Sequence, residues 1–216
     1  MEYMKESNPL ESKIKGKIEQ GGIGYYSLCG RCNSFLGRNY VTDYQKYSNT
    51  FIEFAKKNEF NLFEFTMHNF NALKVLKQIV SMFFSINDDT FSENNREVAE
   101  FVLDSESNKL SERIRVFNYL NTEGQFRNLP VMALGNLSSK GVVIATELAF
   151  PPLGHVLTID FDGQLPFHQE ITSFKDYKFD ETISFDFRVC RLPTYLPFLL
   201  DYRDKETIKE LIDKSV

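Results

Sequence analysis

Tryptophan is absent from this chain, and histidine and cysteine occur only three times each. An odd, small number of cysteines does not suit a disulfide framework and favours a reducing compartment. No uninterrupted apolar run approaches the roughly 18 residues that indicate a membrane-spanning helix, and residues 1–6 are polar, without the apolar centre of a signal peptide. We therefore expect a cytoplasmic protein with no membrane partner.

The chain also lacks an excess of positive charge. Its 25 Lys and Arg residues are outnumbered by 30 Asp and Glu residues, which gives a formal net charge of -5. A protein that coats nucleic acid is normally basic, so this class is disfavoured, while a local basic patch remains compatible with the composition. Phenylalanine is abundant, with 21 copies in 216 residues, and we expect it to be the main filler of the core.

The first half of the chain has apolar residues at helical spacing, which predicts three helices. One covers 41–57, and another covers about 95–103. Between them, Asn69 is a candidate N-cap for a helix with a wide apolar face, formed by Leu73, Val75, Leu76, Ile79, Val80, Phe83 and Phe84. We interpret these apolar stripes as core packing.

The second half of the chain changes to the alternation that is typical of β-strands. Strands are predicted at 113–119, 129–134, 142–150, 155–161 and 182–189, and Asp204 is a candidate cap for a final helix. Short strands joined by turns favour an antiparallel sheet. The fold class predicted is therefore α+β, with a mainly antiparallel sheet and a C-terminal helix.

Three segments follow from this organisation. Residues 1–40 are predicted to form an N-terminal arm that ends in half of a zinc knuckle, preceded by a short strand at 25–28. Residues 41–108 form the helical segment, and residues 109–216 form a β-rich segment that shares one core with it. The boundary is placed in the polar stretch that ends at Asn108.

The densest chemical pattern is the glycine- and tyrosine-rich run 21–33, which contains Cys29 and Cys32. Their C-x-x-C spacing can present two thiolates to one zinc ion. A tetrahedral site needs four ligands, and no Cys or His precedes Cys29. The histidines that follow are isolated from one another: His68, His155 and His168. The sequence thus predicts half of a zinc site or, alternatively, a packed turn without metal.

Leu28-Cys29-Gly30-Arg31-Cys32-Asn33-Ser34-Phe35-Leu36-Gly37 resembles the second knuckle of HNH-type, treble-clef nucleases. The longer run 21–33, with 149–152 and 192–203, resembles a group of uncharacterised bacterial proteins. The nuclease resemblance implies a general-base histidine upstream of the knuckle and a divalent metal at the phosphate. It also implies that Asn33 is a metal ligand beside Cys29 and Cys32. No histidine precedes His68. The resemblance therefore implies a truncated or catalytically degenerate HNH-like protein with a nucleic-acid-associated or defence role, and we assign no catalytic residue.

Basic side chains near the cysteine pair are candidates for phosphate contacts, namely Lys13, Lys15, Lys17, Arg31 and Arg38. The alternative interpretation is a solvated arm, because acidic residues are interspersed among the lysines.

Two further functions stay open. The acidic balance and the lack of a convergent catalytic set are compatible with a non-catalytic module that binds another protein and uses the C-x-x-C turn structurally. A hydrolase based on His155 or His168 would need a carboxylate such as Glu147 or Asp160 beside the imidazole. Sequence alone does not place these side chains together. Cys190, in an alternating strand pattern, is interpreted as an ordinary buried thiol.

Overall fold

The computed structural model describes residues 28–57, 61–136 and 141–214. Within these ranges the chain forms six α-helices and two antiparallel β-sheets. The helices are α1 (Gly30–Asn39), α2 (Val41–Lys57), α3 (Ala72–Ile86), α4 (Asp89–Asn94), α5 (Arg96–Leu103) and α6 (Lys205–Asp213). The strands are β1 (Leu62–Phe70), β2 (Ile114–Leu120), β3 (Arg127–Asn136), β4 (Gly141–Phe150), β5 (Leu153–Ile159), β6 (Gln169–Glu170) and β7 (Ile183–Cys190). The predicted α+β class and the C-terminal helix are confirmed.

Strand β1 was not predicted, because it lies inside the segment that we expected to be helical. It pairs with β7 in an antiparallel two-stranded sheet, in which Phe65 lies opposite Phe187. Its burial alternates, with Phe63, Phe65 and Met67 inside and their neighbours outside. The segment 41–108 therefore contains a strand between its first two predicted helices, and its short alternation was not weighed as a strand.

The larger sheet has five strands in the order β3-β4-β5-β2-β6. All seven residues of β5 are buried, as are most residues of β2, so the middle of this sheet is covered on both faces. One face packs against the helices, with α3 contacting β3, β4 and β5. On the other face, Phe117, Tyr119 and Val156 pack with Leu192 and Leu199 of the segment after β7. The sheet is therefore the middle layer of the molecule.

The helix side of the molecule contains a cluster of rings that we call the aromatic core, centred on Phe187. This side chain is 1% exposed, and its ring centroid lies 4.9–6.2 Å from those of Tyr47, Phe51, Phe65, Phe70, Phe174 and Phe185. Offset and edge-to-face rings at these distances attract one another beyond the effect of area burial. The contributing residues lie on both sides of Asn108 in the sequence, so one cluster joins the two halves.

Of the two helix caps predicted from the sequence, the structure confirms one and corrects the other. The Asp204 side chain caps α6 by accepting a hydrogen bond from the Thr207 amide at 2.7 Å, as predicted. Helix α3 is capped by Asn71, whose side chain accepts from the Lys74 amide at 2.9 Å. Asn69 lies in β1 with φ 55°, so its prediction as the cap was wrong.

Helix α1 was not predicted. The strand expected at 25–28 falls mostly outside the described residues, and Leu28 is a bend. Among the residues that the structure describes, no helix combines the length and the apolar character that crossing a membrane requires.

Candidate functional sites

The cysteine pair lies at the start of α1. Cys29 is the N-cap residue, and its sulfur accepts a hydrogen bond from the Cys32 amide at 3.2 Å. The two sulfur atoms are 3.0 Å apart. Cys29 is exposed and Cys32 is partly exposed, so both sulfurs can reach a ligand from solvent. The pattern C-x-x-C therefore forms a helix N-terminus.

The two thiols differ in acidity because one hydrogen-bonds to the other. The Cys32 side chain and then its amide lower the pKa of Cys29, and the charge of Arg31 adds to this. The same side-chain bond, with burial, raises the pKa of Cys32. A thiolate is the form that ligates metals and reacts as a nucleophile, and the lowered pKa of Cys29 favours this form there.

Two thiolates supply half of the donor set of a zinc site. Zn–S bonds of about 2.3 Å in a tetrahedron place two sulfurs about 3.8 Å apart, so the present 3.0 Å separation would have to widen through side-chain rotation. Among the described residues, no group of three or more Cys, His, Asp or Glu side chains is arranged to hold a metal ion. Cys29 and Cys32 would supply two of the four donors of such a site, and Asn33 is exposed in the position that follows them.

The predicted phosphate-binding residues are only partly covered by the structure. Arg31 and Arg38 are exposed on α1, seven positions apart, and therefore lie on the same helix face. Arg38 Nε donates to the Ser34 carbonyl at 3.2 Å. Lys13, Lys15 and Lys17 lie outside the described residues.

The isolated histidines His68 and His155 occupy different environments. His68 is exposed on β1, with Nδ1 2.9 Å from the Ser184 hydroxyl. His155 is buried, its Nε2 is 3.1 Å from the Tyr44 hydroxyl, and burial lowers its pKa to about 3. An imidazole this deep is a neutral structural group. Asp160, a candidate carboxylate partner, is instead bound to Arg113 by two bonds of 2.8 and 2.9 Å.

The second face of the large sheet contains a network that we call the polar core, built around Glu147 of β4. This side chain is completely buried. Its Oε1 accepts from Tyr119 at 2.6 Å, Tyr202 at 2.8 Å and Arg127 Nη2 at 2.7 Å. Its Oε2 accepts from the Leu200 amide at 3.2 Å. Buried charges are tolerated when they are paired and hydrogen-bonded, as here.

Arg127 connects the polar core to the segment after β7. Besides its bond to Glu147, Nη1 donates to the carbonyls of Leu196, Phe198 and Asp201 at 3.1, 2.9 and 2.8 Å. Burial opposes the charge of this guanidinium, but the negative charge of Glu147 raises its pKa. The ion pair therefore holds the irregular segment after β7 against the sheet.

His168 extends the polar core to the surface. Its Nε2 lies 2.9 Å from the Tyr202 hydroxyl, and its Nδ1 lies 2.8 Å from the Pro166 carbonyl oxygen. Its ring contacts the rings of Tyr119 and Tyr202, with centroids 5.2 Å away in both cases. Two carboxylates were considered as partners of His168. Glu147 is linked to His168 through the Tyr202 hydroxyl, whereas Asp160 is bound to Arg113.

A cleft of about 970 Å³ lies next to this network, and both His168 and Tyr202 line it. Cys190 also lines it, and this thiol is partly exposed rather than buried, which corrects its interpretation from sequence. Phe167 and Leu200, which flank the network, have positive φ angles of 68° and 58°. Non-glycine residues in this strained region concentrate at functional sites because the surrounding structure must hold them there.

Sequence reasoning identified Glu147 and His168 but missed Arg127, Tyr119 and Tyr202. One pattern could have indicated the polar core, namely a glutamate within the apolar strand 142–150. A carboxylate in such a strand demands a buried partner. Nothing local indicates which residue supplies it, because Arg127 is 20 positions away and Tyr202 is 55 positions away.

The chain matches no family model, no curated protein and no solved structure.

Proposed function

We propose that the protein is a catalytically degenerate HNH-like protein that associates with nucleic acid through the surface formed by α1 and α2, next to a metal held by Cys29 and Cys32. The observation that carries this proposal is the exposed thiol pair at the N-terminus of a helix that presents two exposed arginines. Zinc bound there would supply structural cross-linking, and the chain's own residues would supply the phosphate contacts.

The charge distribution supports this surface. Residues 28–57 contain five basic side chains and two acidic ones, in a chain whose net charge is -5. The basic residues are Arg31, Arg38, Lys46, Lys56 and Lys57, all exposed. A local positive surface on an acidic protein restricts phosphate binding to one region. No described residue supplies the upstream general-base histidine that nuclease chemistry would require, so binding without cleavage is proposed.

The first test measures binding of a labelled DNA duplex by fluorescence anisotropy across a salt series. We expect Arg31→Ala/Arg38→Ala to weaken binding about tenfold near physiological salt and to reduce the salt slope by about 2, because two phosphate contacts are lost. The matched control is Arg96→Ala/Lys209→Ala, which removes the same charge from exposed positions elsewhere. Equal losses in both variants, or no binding by the unmodified protein at low salt, would contradict the proposal.

The second test measures zinc in the purified protein. Cys29→Ser/Cys32→Ser is expected to lose zinc, and Cys190→Ser, which changes the remaining cysteine, is expected to retain it. If the unmodified protein held no zinc after exposure to the metal, the metal part of the proposal would be wrong. The DNA-binding measurements across the salt series would then test the basic surface separately.

A second candidate function is non-catalytic binding of another protein, which a pair of exposed phenylalanines favours. Phe126 and Phe150 are 50% and 66% exposed, and their rings lie 5.7 Å apart. Exposed apolar side chains that adjoin one another are typical of interaction surfaces. A partner that uses them should be lost with Phe126→Ser/Phe150→Ser and kept with Arg31→Ala/Arg38→Ala. The reverse pattern would assign the partner to the basic surface.

A further inference from the structure

When His168 is neutral, the contacts around His168 and Tyr202 outnumber the hydrogens that could make them hydrogen bonds. Glu147, paired with Arg127, is a carboxylate and only accepts. Tyr202 has a single hydroxyl proton, and its oxygen lies 2.8 Å from Glu147 Oε1 and 2.9 Å from His168 Nε2. If the proton points to Glu147, the oxygen presents only lone pairs to the imidazole.

The other ring nitrogen of His168 restricts which tautomer is present. Nδ1 lies 2.8 Å from the Pro166 carbonyl oxygen, which only accepts, so Nδ1 carries a hydrogen. A neutral imidazole has one hydrogen, and Nε2 is then an acceptor. The three contacts around His168 and Tyr202 can be hydrogen bonds simultaneously only when His168 is doubly protonated.

We propose that the Tyr202 hydroxyl is a two-position proton switch, which donates to Glu147 when His168 is protonated and to His168 when His168 is neutral. One proton taken up by Nε2 turns this nitrogen from acceptor into donor, and the Tyr202 hydroxyl, which keeps its proton, rotates to donate to the Glu147 carboxylate. The switch belongs to the cleft, because both side chains line it. It depends neither on a metal nor on nucleic acid.

The switch changes how firmly the 196–202 segment, which includes the cleft residue Tyr202, is attached to the sheet. Tyr202 and the Leu200 amide bind Glu147 directly, and Arg127 binds three carbonyls between Leu196 and Asp201. When Tyr202 turns to His168, the carboxylate loses one of its hydroxyl donors, and the 196–202 segment loses one of its attachments to the sheet. Acidification is therefore expected to tighten this segment.

Several charged or titratable groups surround His168. Burial lowers its pKa, the hydrogen bond to Pro166 and the charge of Glu147 oppose this shift, and the charge of Arg127 adds to it. Tyr119 contacts its ring from β2. The groups that share its cleft, from β1–β7 and the flanking segments, are Glu123, Arg188, Cys190, Arg191 and Asp204. Two of these groups are acidic and two are basic, so their charges balance. The contacts of His168 with Tyr202 and Pro166 therefore determine which way the Tyr202 hydroxyl points.

The decisive measurement is the nitrogen NMR spectrum of the full chain labelled at histidine, recorded across pH, with His168→Gln used to assign the resonances. We expect neutral His168 to carry its proton on Nδ1, the tautomer that the Pro166 contact requires. We also expect titration below the ordinary value of 6.5, since burial disfavours the charge. A neutral form protonated on Nε2 would overturn the proposal, because that nitrogen could donate to Tyr202 without any switch.

A variant tests whether Tyr202 takes part. Tyr202→Phe removes two hydrogen bonds from the charged state of the switch and one from the neutral state, so we expect the pKa of His168 to fall by about 1 pH unit. The control is Tyr195→Phe, which removes a hydroxyl bound to Glu123 on the same segment. An unchanged or higher pKa of His168 in a folded Tyr202→Phe protein would overturn the proposal.

Discussion

The two faces of the large sheet are stabilised in different ways. The aromatic core on the helix side surrounds Phe187 with six rings. The polar core on the opposite side surrounds Glu147 with two tyrosines and an arginine. The hydrophobic burial of rings is non-directional and tolerates many partners, whereas a buried carboxylate requires particular donors at particular positions. The difference indicates that the aromatic core maintains the fold, while the polar core positions a particular segment and a particular histidine.

The largest expected effect comes from breaking the buried ion pair. Arg127→Ala leaves Glu147 charged and unpaired and orphans three carbonyl acceptors, so we expect a loss of about 5 kcal/mol in the free energy of unfolding. Urea denaturation measures it. Arg113→Ala, which removes an exposed pair with Asp160, should have a much smaller effect. Replacing both partners, as Arg127→Met/Glu147→Leu, removes the unpaired charge but leaves the three carbonyls, the two tyrosine hydroxyls and the Leu200 amide without these partners. We therefore expect it to recover only part of the loss, and no recovery at all would mean that the unpaired charge is not the main cost.

The matching change in the aromatic core is Phe187→Ala. Removing a ring that contacts six others leaves a cavity, and we expect a loss of about 4 kcal/mol. Phe187→Leu retains more of the volume and should lose markedly less. Urea denaturation of both variants measures the difference. If Phe187→Ala proved milder than Arg113→Ala, the aromatic core would not be the main source of stability.

A smaller effect is expected where the backbone approaches Tyr119 of the polar core. A Cβ at Gly154 would lie 2.0 Å from Tyr119 Cζ, whereas nothing lies within 4 Å of one at Gly135. Gly154→Ala must displace the ring that donates to Glu147, and we expect it to cost about 2 kcal/mol. Gly135→Ala, also in the large sheet, is the control for loss of backbone freedom. Thermal unfolding that fails to separate the two variants would contradict this account.

The effect that is smallest near neutral pH compares His155 with His168. Burial lowers the pKa of His155 to about 3, so below 6.5 the unfolded chain binds a proton that the native state does not. The free energy of unfolding should therefore fall by about 1.4 kcal/mol per pH unit as pH decreases from 6.5, with no further loss below about 3. His155→Gln should remove this part of the slope. His168→Gln should remove less, because Pro166 and Glu147 favour the charge there. Urea denaturation at several pH values measures both.

Local pattern was sufficient for much of the fold. Each of the five predicted strands overlaps an observed strand, and the helices at α2, α3, α5 and α6 lie where apolar spacing placed them. Strand β1 was missed because its alternation is short and lies between helices. Helix α1 was missed because the C-x-x-C pattern was interpreted as a metal turn, although Cys29 can serve as an N-cap through its sulfur.

The two candidate sites also differ in how far local sequence could predict them. The exposed cysteine pair and its two arginines are close in sequence, so their proximity follows from one helix. The polar core depends on residues as far apart in sequence as Tyr119 and Tyr202, brought together by the register of β2, β3, β4 and β5 and by the return of the chain after β7. Glu147 could be suspected from its apolar strand, but its partners could not be identified there.

The α+β class, the positions of most helices and strands and the C-x-x-C pair can be predicted from local pattern, because periodicity, capping and spacing are local properties. The packing of segments that are distant in sequence placed Phe187 at the centre of one core and Glu147 at the centre of the other. It also decided that His168 contacts Glu147 through Tyr202, because buried polar groups select partners by geometry across the fold and not by distance along the chain.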